Sequence, residues 1–209
     1  MDIAIVVYDR FTALDAIGPY EVLSRLPGAR LSFVAERAGP VGTDNGMLSI
    51  VAEVALHDAG SPDVVLVPGG PGEVAARAGG EVLEWLAEAA ETSTWTTAVC
   101  TGSLILAAAG LLEGRRATTH WLALEELGRL GAEPVSERVV FDGNIVTAAG
   151  VSAGIDMALS LAERIAGREV AQAIQLGIEY EPEPPFHAGS PGTAPAGIVA
   201  ALRARSRFA

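Results

Sequence analysis

The stretch TTAVCTGSLILAAAGLL, residues 96–112, decides the fold. Its first half is β-branched and apolar and continues a strand that begins at Thr94. Its second half, GSLILAAAGLL, is built of small and apolar helix formers and reads as a helix over 102–112. The only cysteine of the chain, Cys100, stands at the junction, as the last residue of the strand. Ala98 and Gly102 leave room for a sharp turn there, which is the strand–nucleophile–helix elbow that lifts a reactive side chain out of a sheet. The start of the helix would aim N–H groups and a partial positive charge at the sulfur, which predicts a thiol pKa below its ordinary value.

Outward from this unit the chain alternates strands and helices. IAIVVY (3–8), RLSFVAE (30–36) and DVVLVPGG (63–70) read as buried strands, and RATTH (116–120) as a short one. PVGTDNGMLSIVAEV (40–54) and RVVFDGNIVTAA (138–149) read as hairpins turning at Asn45-Gly46 and Asp142-Gly143. Helices are predicted over 80–91, 121–131, 152–167 (capped by Ser152) and 169–180. In FTALDAIGPYEVLSRL (11–26) the pair Gly18-Pro19 predicts a loop followed by a helix starting near Pro19. Strands that are continuous apolar runs, separated by helices, define an α/β fold with a mostly parallel sheet covered on both faces. One domain over 1–180 is expected, with a Pro/Gly-rich extension over 181–209: a coil at 181–195, then a short helix over 196–208 that reads as an arm onto another subunit.

Composition narrows the function. Half of the 209 residues are apolar, enough for a sizeable core. No run is long enough to span a bilayer, and MDIAIVVYDR lacks the basic start of a signal peptide, so a cytoplasmic protein is expected. The net charge of −12 opposes nucleic-acid backbones. All fourteen basic residues are arginine, which removes lysine Schiff-base chemistry and a P-loop lysine. One cysteine and three scattered histidines (57, 120, 187) do not make a zinc site, so no metal is expected.

In open parallel sheets function gathers at the carboxyl ends of strands. LVPGG (66–70), AVCTG (98–102) and DRFTALDAIG (9–18) all arrive there. Cys100 is the candidate nucleophile. Gly69 and Gly70 can turn an N–H toward it, and the N–H of Gly70 with that of Thr101 would form an oxyanion-type site. Asp15, flanked by Leu14, Ala16 and Ile17, is a carboxylate in apolar company, which raises its pKa and suits it to acid–base work; it is equally suited to capping a helix. Thr101 either bonds a reacting group or caps its helix. His120 is a candidate base at the end of the next strand or a neighbour behind the site, and Trp121 and Phe186 are candidates for lining a pocket.

At these residues the chain resembles the ThiJ/PfpI superfamily, through LVPGG, AVCTGSLILAAAGLLEGRRATTHW and GNIVTAAGVSAGIDMAL. Within it, LDAIGPYEVL, the threonine after the cysteine and the tail LGIEYEPEPPFHAGSP are similar to the branch that hydrates isonitriles. The resemblance implies a flavodoxin-like three-layer sandwich, a homodimer, and cofactor-free hydration of R–N≡C to an N-substituted formamide. It implies Cys100 as nucleophile, Asp15 as acid–base partner and Thr101 as a hydrogen-bonding neighbour. Peptidase-like and amidotransferase-like branches carry histidine at the position of Thr101, which argues against proteolysis. Glyoxalase-like branches face the cysteine with a glutamate where this chain has Asp15. Related transcription regulators carry a fused DNA-binding module, which is not expected in a chain of 209 residues with a net charge of −12. The alternatives are a glyoxalase-type hydratase acting on a reactive carbonyl, or a non-catalytic sensor that oxidises Cys100.

Overall fold

The computed structural model describes residues 1–208. The strands are β1 (Asp2–Val6), β2 (Arg30–Ala35), β3 (Gly39–Gly42), β4 (Ser49–Ala52), β5 (Val54–Ala55), β6 (Val64–Val67), β7 (Trp95–Val99), β8 (Arg116–Ala117), β9 (Glu133–Pro134), β10 (Val139–Asp142) and β11 (Ile145–Ala148). The helices are α1 (Ala13–Leu23), α2 (Glu73–Ala76), α3 (Glu81–Thr92), α4 (Gly102–Ala108), α5 (Leu124–Arg129), α6 (Ala153–Ala166), α7 (Arg168–Gly177) and α8 (Ala196–Ala204).

Seven strands form one sheet in the order β10-β11-β7-β6-β1-β2-β5, parallel throughout except for the β10–β11 hairpin at one edge. The central strands are apolar on both faces because both faces are covered: Val64–Val67 and Ile145–Ala148 are buried residue by residue. Helices α1, α6 and α7 pack together, and α2, α3 and α5 pack around α4, giving the three layers of an α/β sandwich. No helix among the described residues is long and apolar enough to cross a membrane.

Several expectations need correction. The first helix begins at Ala13, with Pro19 inside it. Pro19 cannot donate to the Asp15 carbonyl, but its ring packs against α6, where a Cβ on Gly154 would lie 3.1 Å from it. Gly18 meets Ile155 equally closely, so two glycines let α1 and α6 approach, and the buried contact outweighs one missing helix bond. The helix after Cys100 stops at Ala108, where Gly110 takes φ +79°. Residues 116–120 contribute two residues to a small separate sheet with β9 rather than a strand of the main one. Residues 121–131 are a 3-10 turn followed by α5, and Ser152 precedes α6 without a side-chain cap bond. The hairpin at 40–54 forms β3–β4 off the main sheet and braces the loop after β1, through Arg10 N–H to the Gly42 carbonyl at 2.9 Å.

Candidate active site

The carboxyl ends of β1, β6, β7 and β11 converge on Cys100. Strand β7 ends at Val99, so the cysteine is one residue past it, in a turn with φ +57°. A non-glycine residue there is strained by about 1–2 kcal/mol. The turn is held from every side. The Cys100 N–H donates to the Ala148 carbonyl at 3.0 Å. Its carbonyl accepts from Thr119 Oγ1 at 2.9 Å and Ser103 Oγ at 3.1 Å. Gly102 permits the turn by its lack of a side chain, since a Cβ would collide with the Val67 carbonyl oxygen.

Asp15 reaches the cysteine from the first turn of α1 and is wholly buried. Its Oδ2 accepts the Gly69 N–H at 2.9 Å. Its Oδ1 accepts no hydrogen bond, and the Cys100 thiol is near enough to the carboxyl to act on it. The Gly70 N–H donates to Thr101 Oγ1 at 3.0 Å. It is therefore committed to the threonine and does not supply the free oxyanion donor expected of it. The two glycines position Asp15 and Thr101 instead. A Cβ on Gly69 would collide with the Thr101 nitrogen, so only glycine fits. Tyr8 Oη donates to the Pro68 carbonyl at 2.8 Å and steadies the loop from beneath.

The electrostatics also differ from expectation. Burial pushes the Cys100 thiol well above its ordinary value, and the Asp15 carboxylate pushes it further. The N–H groups of Thr101 and Val151 act the other way but do not prevail. Helix α4 has only seven residues and cannot offset the loss of water. Asp15 is raised to about 7, chiefly by burial, against the lowering effect of the Gly69 N–H. Above the Asp15 pKa the pair keeps one proton, on the sulfur, and moving it to the carboxylate creates a thiolate without changing the net charge.

A cavity of about 360 Å³ opens over the sulfur. Cys100, Thr101, Gly70, His120 and Val151 line it, with Leu122, Pro71 and Phe208. His120 is held neutral by burial and by Arg207, with Nδ1 accepting the Leu122 N–H at 3.3 Å. Its ring forms part of the cavity wall and makes no hydrogen bond to Cys100, Asp15 or Thr101 among the described residues. Trp121 lines an adjoining cleft, whereas Phe186 is 77% exposed and lines neither cavity. No three His, Cys, Asp or Glu side chains among the described residues are grouped to hold a metal ion. Sequence reading missed Val151, whose signal was the small-residue loop GVSAG after β11. It also missed Thr119, Arg207 and Phe208.

The sequence model of the DJ-1/PfpI family matches residues 1–164. Isonitrile hydratase of Pseudomonas putida is 42% identical over 206 residues, which cover 99% of this chain and 90% of that protein. The crystal structure of a ThiJ/PfpI family protein from Pseudomonas syringae superposes with a TM-score of 0.94 at 40% identity, covering 97% of this chain and 84% of the other. Drosophila melanogaster DJ-1beta shares the fold, with a TM-score of 0.78 at 22% identity over 87% of this chain and 98% of that one.

Proposed function

We propose that this chain, which belongs to the DJ-1/PfpI family, is a cytoplasmic, cofactor-independent isonitrile hydratase with Cys100 as nucleophile and Asp15 as the proton carrier. The observation that carries the reading is the buried Asp15 carboxyl beside the Cys100 thiol, one of whose oxygens has no hydrogen-bond partner. It is supported by the 42% identity to an isonitrile hydratase across nearly the whole chain.

The chemistry needs a nucleophile and one mobile proton. Asp15 takes the thiol proton, and the thiolate attacks the terminal carbon of R–N≡C as Asp15 returns that proton to the same carbon. This leaves a covalent thioimidate, R–N=CH–S–Cys100. Asp15 then removes a proton from water as the oxygen adds to the carbon, and delivers it to nitrogen. The tetrahedral species R–NH–CH(OH)–S–Cys100 breaks its C–S bond, its hydroxyl proton returns to the sulfur by way of Asp15, and R–NH–CHO leaves. No oxyanion builds up in this sequence, which suits a site whose Gly70 N–H is already engaged. The N–H groups of Thr101 and Val151 stabilise the transient thiolate.

The test mixes the protein with an aryl isonitrile and follows the formamide by absorbance and mass spectrometry, beside Cys100→Ala and Asp15→Asn. Formamide from the wild type, lost in both variants, supports the reading. No formamide, with Cys100 still alkylated, refutes it and turns attention to reactive carbonyls. Homodimerisation belongs to the same proposal: Leu176, Ile198 and Leu202 are exposed apolar side chains on α7 and α8. Sedimentation at the mass of one chain would refute that part.

A further inference from the structure

The segment after α8 returns to the site of its own chain. Arg207 Nη2 donates to the Gly70 carbonyl at 3.2 Å and to Glu73 Oε1 at 3.2 Å. Glu73 is completely buried. Its other oxygen has Arg77 Nε 2.9 Å away without an aligned hydrogen bond. A buried carboxylate must be compensated: Arg77 and Arg207 both supply charge, and Arg207 adds the hydrogen bond. The guanidinium also lies over the Phe208 ring, 4.7 Å from its centre, and Arg203 lies 5.8 Å from the Trp121 ring. Phe208 is half-buried, packs against the core and lines the cavity over Cys100.

We propose that residues 205–208 form the substrate-selecting wall of the active site, with Phe208 setting the size of the apolar R group and Arg207 latching that wall to Glu73 and Gly70. This inference rests on the hydratase reading for its substrate, but not for its geometry. The reacting carbon must reach Cys100 at the floor of the cavity. The R group then extends toward Phe208, Leu122 and Pro71, where an aryl or other compact apolar group replaces water. Arg207 does not touch the reacting atoms. It is a positioning residue: it holds the Gly70 carbonyl, and the N–H of that same residue donates to Thr101 Oγ1.

Two measurements test this on Phe208→Ala, Phe208→Leu and Arg207→Gln, each first shown to melt as a folded protein. In the first, Cys100 is alkylated with iodoacetamide and with the bulkier N-phenylmaleimide. Phe208→Ala and Arg207→Gln are expected to speed the bulky reagent about fivefold more than the small one, while Phe208→Leu stays near the wild type. In the second, KM and kcat are compared for phenyl and 2-naphthyl isonitrile. Phe208→Ala is expected to shift the KM ratio about tenfold toward the larger substrate. Alkylation selectivity unchanged in both disruptive variants overturns the proposal, whether or not any isonitrile is hydrated. Altered alkylation selectivity in a protein that hydrates no isonitrile upholds the wall and refutes only the hydratase reading.

Discussion

Replacing Asp15 by asparagine should abolish turnover and stabilise the protein in a pH-dependent way. The asparagine side chain can keep the Gly69 bond, because its carbonyl oxygen accepts where Oδ2 does now. What the substitution removes is an ionisable group whose pKa rises from 3.8 to about 7 on folding. A raised carboxyl binds its proton more tightly in the folded state, so stability falls as pH climbs from the unfolded value toward the folded one. Between pH 5 and pH 8 the folded protein gives up nearly a whole proton that the unfolded chain has already lost. At 1.36 kcal/mol per pKa unit this costs the wild type about 2–3 kcal/mol over that range, as an upper value. For a chain of this size that is roughly 5–10 °C in melting temperature. Thermal melts of wild type and Asp15→Asn at pH 5 and pH 8 read the effect directly, and comparing the two proteins cancels every other titrating group. The variant should gain most at pH 8. A wild-type-to-variant gap of equal size at both pH values would refute the claim that burial raises this carboxyl.

Four other outcomes follow from the same geometry. With Asp15 required as the anion to take the thiol proton, kcat/KM should rise through an acid limb near pH 7, in line with the pKa of about 7; a flat profile from pH 5 to 8 would contradict it. Thr101→Val strands the buried Gly70 N–H and should cost about 1–3 kcal/mol in urea unfolding and about tenfold in kcat, with Thr101→Ser restoring both. Gly69→Ala drives a Cβ into the Thr101 backbone and should cost about 1–3 kcal/mol as well as activity. Cys100→Gly should be more stable than Cys100→Ala by about 1 kcal/mol, the reverse of the usual order, because φ is +57° there; the ordinary order would remove the strain.

Much of the fold was legible because its signals are local. The apolar runs at 3–8, 63–70 and 94–100 carry their own burial, and Asn45-Gly46 and Asp142-Gly143 carry their own turns. The errors arose where a distant contact overrode a local rule. Pro19 reads as a helix boundary until Gly154, far along the chain, gives its ring a place to pack. Residues 116–120 have strand composition, but their partner is Glu133–Pro134 rather than the main sheet. In the site, Cys100 and Asp15 stood out by residue type and position. The thiol pKa did not, because proximity to a helix start is visible in a sequence and the loss of water is not. Arg207 carries no local signal: its partners Glu73 and Gly70 are 134 and 137 residues away.

The errors and the chemistry share a cause. A solvated thiol beside a solvated carboxylate would hold two independent protons and titrate at ordinary values. Burying both makes a second negative charge too costly, so the pair keeps one proton, which rests on the sulfur. In the proposed reaction that proton is consumed at carbon when the thiol adds to the isonitrile, and the emptied carboxylate then takes a proton from water for the nitrogen. The strained turn at Cys100 and the buried carboxylate both lower stability, and the surrounding glycines and hydroxyls hold them in place. A relative with the same two residues but an open, hydrated pocket would have a more acidic thiol, easier to oxidise and without a shared proton to transfer. On the proposed mechanism, the depth of burial around Cys100 is what would favour proton transfer over oxidation.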